Sequence, residues 1–561
     1  MFRDTFTALN FFEKKNYYLL ILFFFVILIS SIFELVGLSL LLVFFKETID
    51  LPDIKIFSII ENHIFKLLNF VPIEEPIYLI LGLVIFTFFI KSVVSFFLVY
   101  LKEFINLLLG NNIAFKINEH YIKKTPFFIS YKNNFSLIRD ILSESRKVSN
   151  YFISILNILS DIILILAILF FISYANVDFL YIIASLLFIS LVFFHLLTSK
   201  TIQSSSKKLL NYRQLIANNI NDNFNLFKEH QSINNKNTLI KFFERDLKNY
   251  FKFQIKIQFI SKIPRYYLEI YILIVLTVIV IYFFVFNYGI NQIFGSLSIL
   301  VISLLRILPY FSSIINSYSM TKECHISVSH INKILKDKKE KIIDYQKLNL
   351  VKNINLKNVT FAYGKKKIIN NLNLDINNKD IIGIYGNSGI GKSTLAKIFL
   401  NYLNPTKGQI IINGNKTNNK TIYNFAFLTN DPVFFKGSVT QNITMFKSLN
   451  YKRMLKCLKI SSLPKKFLNR QISNQSAVEF STGQKQRISI ARALYHQPKF
   501  IVLDEITSNL NKELSKKIYR NFKKELKIPM IIISHNLQNL SICNKIYKIS
   551  NKKAYKIKSI N

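Results

Sequence analysis

The sequence predicts a multidomain membrane protein: an all-α domain of six membrane-spanning helices, then an α/β domain built around a phosphate-binding P-loop. Three observations carry that reading. Apolar runs longer than the roughly 18 residues that suggest a span recur before residue 320. From about Asn332 the composition shifts to alternating strands and helices, the pattern of a mainly parallel sheet. Within that part, Ile381–Thr394 reads IIGIYGNSGIGKST, an apolar run that ends in Gly-x-x-x-x-Gly-Lys-Ser and passes into a helical pattern at Leu395, Ile398 and Phe399. The expected boundaries are 1–332 for the membrane domain, 333–347 for a charged linker and 348–561 for the nucleotide domain.

Size and composition agree. At 561 residues two or three domains are expected, and 51% of the residues are hydrophobic. The 73 basic against 32 acidic residues give a formal charge of +41. Much of that excess flanks the apolar runs in a chain rich in Lys, Asn, Ile and Phe. No compact basic motif with interleaved aromatics stands out, so no nucleic-acid partner is expected. Cys324, Cys457 and Cys543 have no metal-ligand spacing and fall in segments placed in the cytosol, so no disulfide framework is implied.

The first apolar run, Tyr17–Phe45, is too long for the apolar region of a signal peptide and reads as a retained span. The others are Ile77–Leu101, Tyr151–Tyr174, Val177–Thr198, Tyr266–Phe286 and Phe294–Tyr318. The basic residues concentrate in Lys102–Asn150 and Lys200–Arg265, which places both loops and both termini in the cytoplasm. In the first outer loop, Ile54, Phe57, Ile60, Ile64 and Leu67–Leu68 repeat at helical spacing; such a helix can lie on the outer membrane surface or pack on its own spans. The spans are expected to continue into the cytosol as helices, with Tyr121–Asn134 and Tyr212–His230 as surfaces that meet the nucleotide domain.

Ionisable residues inside spans are costly and mark function by default. Arg306 lies mid-way along the last span, three residues before Pro309. It can meet a phosphate bidentately or pair with Glu34, Asp161 or Glu269. Arg265 and Glu34 are further substrate candidates, Lys91 reads as a snorkelling side chain, and His195 as a packed one.

In the phosphate loop, Gly386, Gly389 and Gly391 allow backbone conformations and close approaches that a Cβ would block. The N–H groups of Asn387, Ser388, Ile390 and Thr394 belong to a positive nest at a helix N-terminus. Lys392 reaches the outer phosphates and Ser393 ligands magnesium. Phe500–Glu505 is a buried-strand run ending in two carboxylates; Asp504 can hold the metal and Glu505 polarise an attacking water. Ile531–Ile533 leads to His535, which can reach a γ-phosphate.

Phe480-Ser-Thr-Gly-Gln484 followed by Lys-Gln-Arg-Ile-Ser-Ile-Ala-Arg-Ala-Leu494 resembles the signature segment of ATP-binding cassette ATPases, and its order relative to the other motifs matches. Six spans ahead of one such domain resemble a half-size exporter of that superfamily. The resemblance implies a dimer, either a homodimer or a heterodimer with a second half-transporter. Each ATP with its Mg2+ would lie between the phosphate loop of one subunit and Ser481, Thr482, Gly483 and Gln484 of the other. It also implies that Tyr363 stacks on adenine, that Asn430 senses magnesium, and that Glu505 and His535 are catalytic.

Four positions depart from the usual pattern. The signature usually reads Leu-Ser-Gly-Gly-Gln, Asn430 is usually glutamine, Asn511 is usually aspartate, and Ser473–Glu479 lacks the glycines common there. A slow ATPase is the expectation. Phe33–Leu40, Pro264–Glu269 and Leu305–Pro309 resemble segments of bacterial flippases for lipid-linked oligosaccharides. That implies a polyprenyl-diphosphate glycan moved to the outer face of the bacterial cytoplasmic membrane. A further arginine of that group has no equivalent, Ser312 and Ser313 occupying its region. Alternatives are an exporter of peptides or amphipathic drugs, one half of a heterodimeric exporter, and a non-transporting ATP-dependent regulator.

Overall fold

The computed structural model describes residues 14–49, 76–124, 134–175, 177–225, 236–285, 290–336, 344–364, 366–387, 389–417, 421–472, 480–507 and 510–557. The expected helix at Ile54–Leu68, most of Tyr121–Asn134, the end of Tyr212–His230, Ser388 and Ser473–Glu479 lie outside the described residues. So do the side chains of His195 and Arg265, although both positions are helical. The chain forms two compact units, Met1–Ile122 with Lys132–Lys338 and Lys123–Tyr131 with Lys339–Asn561.

The helical unit is built from α1 (Tyr17–Ile49), α2 (Pro76–Ile122), α3 (Ser145–Ala175), α4 (Val177–Asn225), α5 (Lys236–Val285) and α6 (Ile290–Lys336). Each holds one of the six apolar runs. Lys14–Leu41, Ile80–Ile122 and Asn134–Ser173 are the described stretches that are long and apolar enough to cross a membrane. At 47 residues, α2 and α6 are each about 70 Å long, more than twice a hydrocarbon core of about 30 Å. Both helices are therefore longer than one crossing of such a core needs.

Lipid-like surroundings explain why these helices bury so little of their apolar surface. Ile21, Phe25, Phe96, Phe170 and Leu196 are all exposed. Helix-to-helix contact is made by an apolar stripe plus polar ties. Ser154 Oγ and Thr321 Oγ1 join α3 to α6 at 2.7 Å. Just before α3 a π-helical segment, Arg139–Glu144, buries two carboxylates. Asp140 accepts from Tyr121 Oη at 2.7 Å and from Arg139 Nη2 at 2.8 Å, and faces His330 Nε2 at 3.0 Å.

The second unit has two main sheets among the described residues. One is antiparallel, in the order β2 (Lys366–Asn377), β1 (Asn353–Tyr363), β4 (Lys407–Ile412) and a short Asn415–Lys416 edge. The other runs β9 (Lys553–Ile557), β8 (Lys545–Ser550), β3 (Ile381–Tyr385), β7 (Met530–Ser534), β6 (Phe500–Asp504), β5 (Phe425–Leu428). All its neighbours are parallel except the β8–β9 hairpin.

Side chains alternate across a strand, and here both faces are buried. Ile382, Ile384, Phe500, Val502, Ile531 and Ile533 pack with the antiparallel sheet and α7 (Lys392–Phe399). Ile381, Ile501, Leu503, Met530 and Ile532 pack with α8 (Thr482–Tyr495) and α9 (Lys512–Glu525). Two-sided burial is why these strands read as continuous apolar runs.

The structure moves two expectations. The pattern of the soluble half predicts strands at Leu350–Phe361 and Gln409–Asn413, and the strands observed are Asn353–Tyr363 and Lys407–Ile412. In the expected linker 333–347, α6 extends to Lys336 and Asp344–Gln346 is a strand, paired in parallel with Thr421–Tyr423. That pairing is made with residues far along the chain, so local composition carries no sign of it.

Candidate nucleotide-binding site

The site forms where three parallel strands end. The phosphate loop follows β3, Asp504 ends β6 with Glu505 next, and Ser534 ends β7 with His535 next, β7 lying between the other two. Crevices at the carboxyl ends of parallel strands are the usual ligand sites of such sheets. A cavity of about 420 Å³ opens here, lined by Tyr363, Ile368, Gly389, Gly391, Lys392, Ser393, Thr394, Asn430, Asp504 and Glu505. Nine of these were read from the sequence. Ile368 was not.

The glycines serve different needs. Gly389 holds φ +79° and Gly391 φ +105°, where side-chain-bearing residues are strained. Gly386 lacks that torsion, but a Cβ there would meet the Ile549 carbonyl at 3.0 Å. Gly391 is also the residue before α7, so no side chain caps the helix N–H groups that face an anion. Lys392 is buried and uses two of its three N–H donors on its own loop, to Gly386 O at 2.8 Å and Asn387 O at 2.9 Å.

Glu505 is held in the left-handed region at φ +53°, with its N–H bonded to Ile533 O at 3.1 Å. Such a conformation costs about 1–2 kcal/mol for a residue with a Cβ, and strain of this kind gathers at functional sites. It turns the chain so that Glu505 Oε1 meets His535 Nδ1 at 3.2 Å. Both residues also line an adjoining cavity of about 240 Å³. Tyr363 lies edge-on to Phe361, with ring centroids 4.9 Å apart.

Ser481, Thr482, Gly483 and Gln484 are not among the lining residues of that cavity. Ser481 instead begins α8 with a capping box: its Oγ accepts from Gln484 N at 3.2 Å, and Gln484 Oε1 accepts from Ser481 N at 3.0 Å. The Ser-x-x-Gln spacing was a legible sign of that cap. Asn511 likewise caps α9, accepting from Leu514 N at 2.9 Å. Asparagine caps as well as aspartate does, so this departure leaves the helix start intact.

In the helical unit, Arg306 has a carboxylate and an aromatic ring as neighbours. Its Nε lies 4.0 Å from Glu34 Oε1, and its guanidinium stacks 4.3 Å from the Phe88 ring centroid. Glu34 is fully buried, pairs with Lys91 and accepts from Tyr310 Oη at 3.0 Å. Lys91 therefore does not snorkel but pairs with Glu34, whose buried carboxylate would be costly if left uncompensated. Glu34 is enclosed by Lys91, Tyr310 and Arg306.

Comparison with known proteins agrees with the geometry. Residues 369–508 match the ABC transporter family model. The lipoprotein-releasing system ATP-binding protein LolD of Wigglesworthia glossinidia brevipalpis is 34% identical over 227 residues, which is 36% of this chain and 95% of that protein. The chain belongs to the ABC transporter family. A putative export ATP-binding/permease protein of Rickettsia felis is 29% identical over 62% of this chain, and a probable ABC transporter ATP-binding/permease protein of Haemophilus influenzae is 33% identical over 36% of it. The matches span 64% and 38% of those two relatives' own length. A bacterial Atm1-family ABC exporter with ATP bound superposes with a TM-score of 0.78 over 96% of this chain and 95% of that one, at 14% identity. The chain has the ABC exporter fold, a helical membrane unit followed by an α/β ABC unit.

An ABC transporter's ATP comes with Mg2+, and the residues present suit it. The Ser393 hydroxyl, Asp504 carboxylate and Asn430 carboxamide are hard oxygen donors of the kind magnesium takes, and Ser393 already bonds to Asp504. These three would hold the ion. When bound, it would neutralise charge on the phosphates.

Asp504 pays a cost for that role. Burial pushes its pKa up and Glu505 adds to the rise, while Ser393 and Lys392 oppose it. A carboxyl with a raised folded-state pKa stabilises the fold below its unfolded pKa, and that contribution is lost as pH rises through the folded pKa. Asp504→Asn should therefore raise the Tm of the nucleotide-free protein at pH 7.5, with the gain fading toward pH 4. A Tm unchanged at both pH values would contradict this.

Proposed function

We propose that this ABC transporter is an ATP-driven half-transporter of the exporter type. Convergence of the phosphate loop, Tyr363, Asn430, Asp504 and Glu505 on one cavity carries the reading. Glu505, held toward His535, polarises the attacking water. Lys392 and the N-terminus of α7 hold the phosphates. One phosphate loop leaves a face of the triphosphate open, and the exposed start of α8 at Ser481–Gln484 in a second subunit closes it. The partner is a second copy or a related half-transporter. ATP closing two such units switches the membrane cavity from one side to the other, and hydrolysis resets it. The membrane is the bacterial cytoplasmic membrane.

For cargo, we infer a lipid-linked oligosaccharide, a polyprenyl diphosphate glycan carried to the outer face. Lys91 and Arg306 bring two positive charges to the single negative charge of Glu34. An anionic group answers that imbalance, and Arg306 is the cation of the cluster with more exposure. Arg265, on α5, is the second candidate contact. The Arg306–Glu34 approach also favours a second reading, in which the pair is structural and the cargo is a peptide or amphipathic drug.

One reconstitution tests both. The purified chain in vesicles should show ATP-dependent movement of a lipid-linked glycan. Arg306→Ala should cut that movement at least about tenfold while ATP hydrolysis stays within about twofold, the signature of lost cargo contact. Transport unaffected by Arg306→Ala, together with ATP hydrolysis stimulated by hydrophobic compounds, would favour the second reading.

A further inference from the structure

Gln486 lies on α8, five residues after the Ser481 cap, and is buried at 2% exposure. Its Nε2 donates to Asn430 Oδ1 at 2.7 Å and to the Asn430 carbonyl at 3.4 Å. Its other amide atom, Oε1, is buried and has no hydrogen-bond partner. A buried unpartnered oxygen calls for an explanation. The residue that Gln486 holds lines the nucleotide cavity. The atom it holds, Asn430 Oδ1, is the only one on that side chain able to ligand a hard cation, since the amide nitrogen is a donor without an acceptor role.

We propose that Gln486 is a positioning residue whose paired amide with Asn430 decides whether the Asn430 oxygen is spent on α8 or offered to a divalent cation in the cavity. The proposal rests on reading that cavity as an Mg–ATP site. In the arrangement observed, Gln486 is the donor and Asn430 Oδ1 the acceptor. Turning both carboxamides about their terminal bonds reverses the polarity: Asn430 Nδ2 then donates to Gln486 Oε1. The orphaned oxygen gains a partner, Gln486 Nε2 gives up its two acceptors and takes the place the oxygen held, and Asn430 Oδ1 is released toward the cavity. No proton is transferred and no charge is made, so the two arrangements differ only in hydrogen bonding.

The placement links two ends of the site. Ser481 and Gln486 are about 7.5 Å apart along one helix axis. A ligand engaging the capped N-terminus of α8 would act on the same rigid element that holds Asn430. The shorter asparagine makes this dependence stronger, because it has one fewer torsion with which to reach a metal independently of Gln486.

The test uses the full chain carrying Glu505→Gln, so that nucleotide is held without turnover. Two affinities are read: a fluorescent ATP analogue in EDTA, and Mn2+ by electron paramagnetic resonance with the nucleotide present. Gln486→Met, which keeps the shape and removes both hydrogen-bonding atoms, should weaken Mn2+ binding at least fivefold and leave the EDTA affinity within twofold. Gln486→Glu supplies only acceptors, fixes the reversed polarity, and should keep Mn2+ binding within twofold of the parent or tighten it.

Equal loss of both affinities in Gln486→Met, or no loss of either, would overturn the proposal and leave Gln486 a packing residue. Asn430→Ala separates the two levels. If it leaves Mn2+ binding unchanged, the reading of Asn430 as a metal ligand fails; if it weakens Mn2+ binding and Gln486→Met does not, only the role of Gln486 fails.

Discussion

Glu505→Gln should slow ATP hydrolysis by roughly 10²–10⁴-fold, the range that a positioned general base supplies, while nucleotide binding persists. The side chain is isosteric, so the turn at φ +53° and the N–H bond to Ile533 O are retained. What disappears is the carboxylate that meets His535 Nδ1 at 3.2 Å. Glutamine at that position can orient a water but cannot take its proton. Steady-state phosphate release, with a fluorescent nucleotide to verify binding, reads both halves of the expectation. Hydrolysis unchanged by the substitution would remove Glu505 from the chemistry and return the base to another group.

Gly391→Ala should disable binding itself. Its φ of +105° is unfavourable for any residue with a Cβ, at about 1–2 kcal/mol. The added carbon would also stand 2.6 Å from Ile368 Cγ2, a branched side chain next to the buried Ile369. The loop must shift to relieve that contact, and the loop is the phosphate cradle. A loss of at least about tenfold in ATP affinity is expected, since each 1.4 kcal/mol is a factor of ten. Gly389→Ala is the matched control: at φ +79° it carries backbone strain, but its Cβ would meet nothing within 4 Å. It should lose less. Equal affinities for the two variants would show that the Ile368 contact does not matter.

Much of this site could be read before any coordinates. The phosphate loop, the strand ending at Asp504 and the strand ending before His535 are each contiguous, and each lies where its pattern says. Two-sided burial makes the parallel strands near-continuous apolar runs, and six apolar runs sit in six long helices. Two capping roles accompany the residues of the expected pattern. Ser481 and Gln484 cap their own helix, and Asn511 does the same for α9. Spacing alone signalled both.

Other features could not be read that way. Gln486 meets Asn430 across 56 residues, and Tyr310 meets Glu34 across 276. Neither pairing has a periodicity or a motif.

The membrane half shows the division most plainly. An arginine, a lysine and a glutamate within apolar runs announce that some charge must be answered there, because an isolated charge is costly in hydrocarbon. Which cation answers Glu34 depends on which helix faces are neighbours, and only packing of α1, α2 and α6 puts Lys91, Tyr310 and Arg306 around it. The phosphate loop is the opposite case. Its glycines, its lysine and its helix start lie within a few residues of one another, so short-range torsions and one helix terminus suffice to build it. Chain-local physics made the nucleotide cradle legible. Charge pairing between distant helices, the left-handed turn at Glu505 and the Gln486–Asn430 bond were decided by tertiary contacts, whose energies depend on partners that no local window contains.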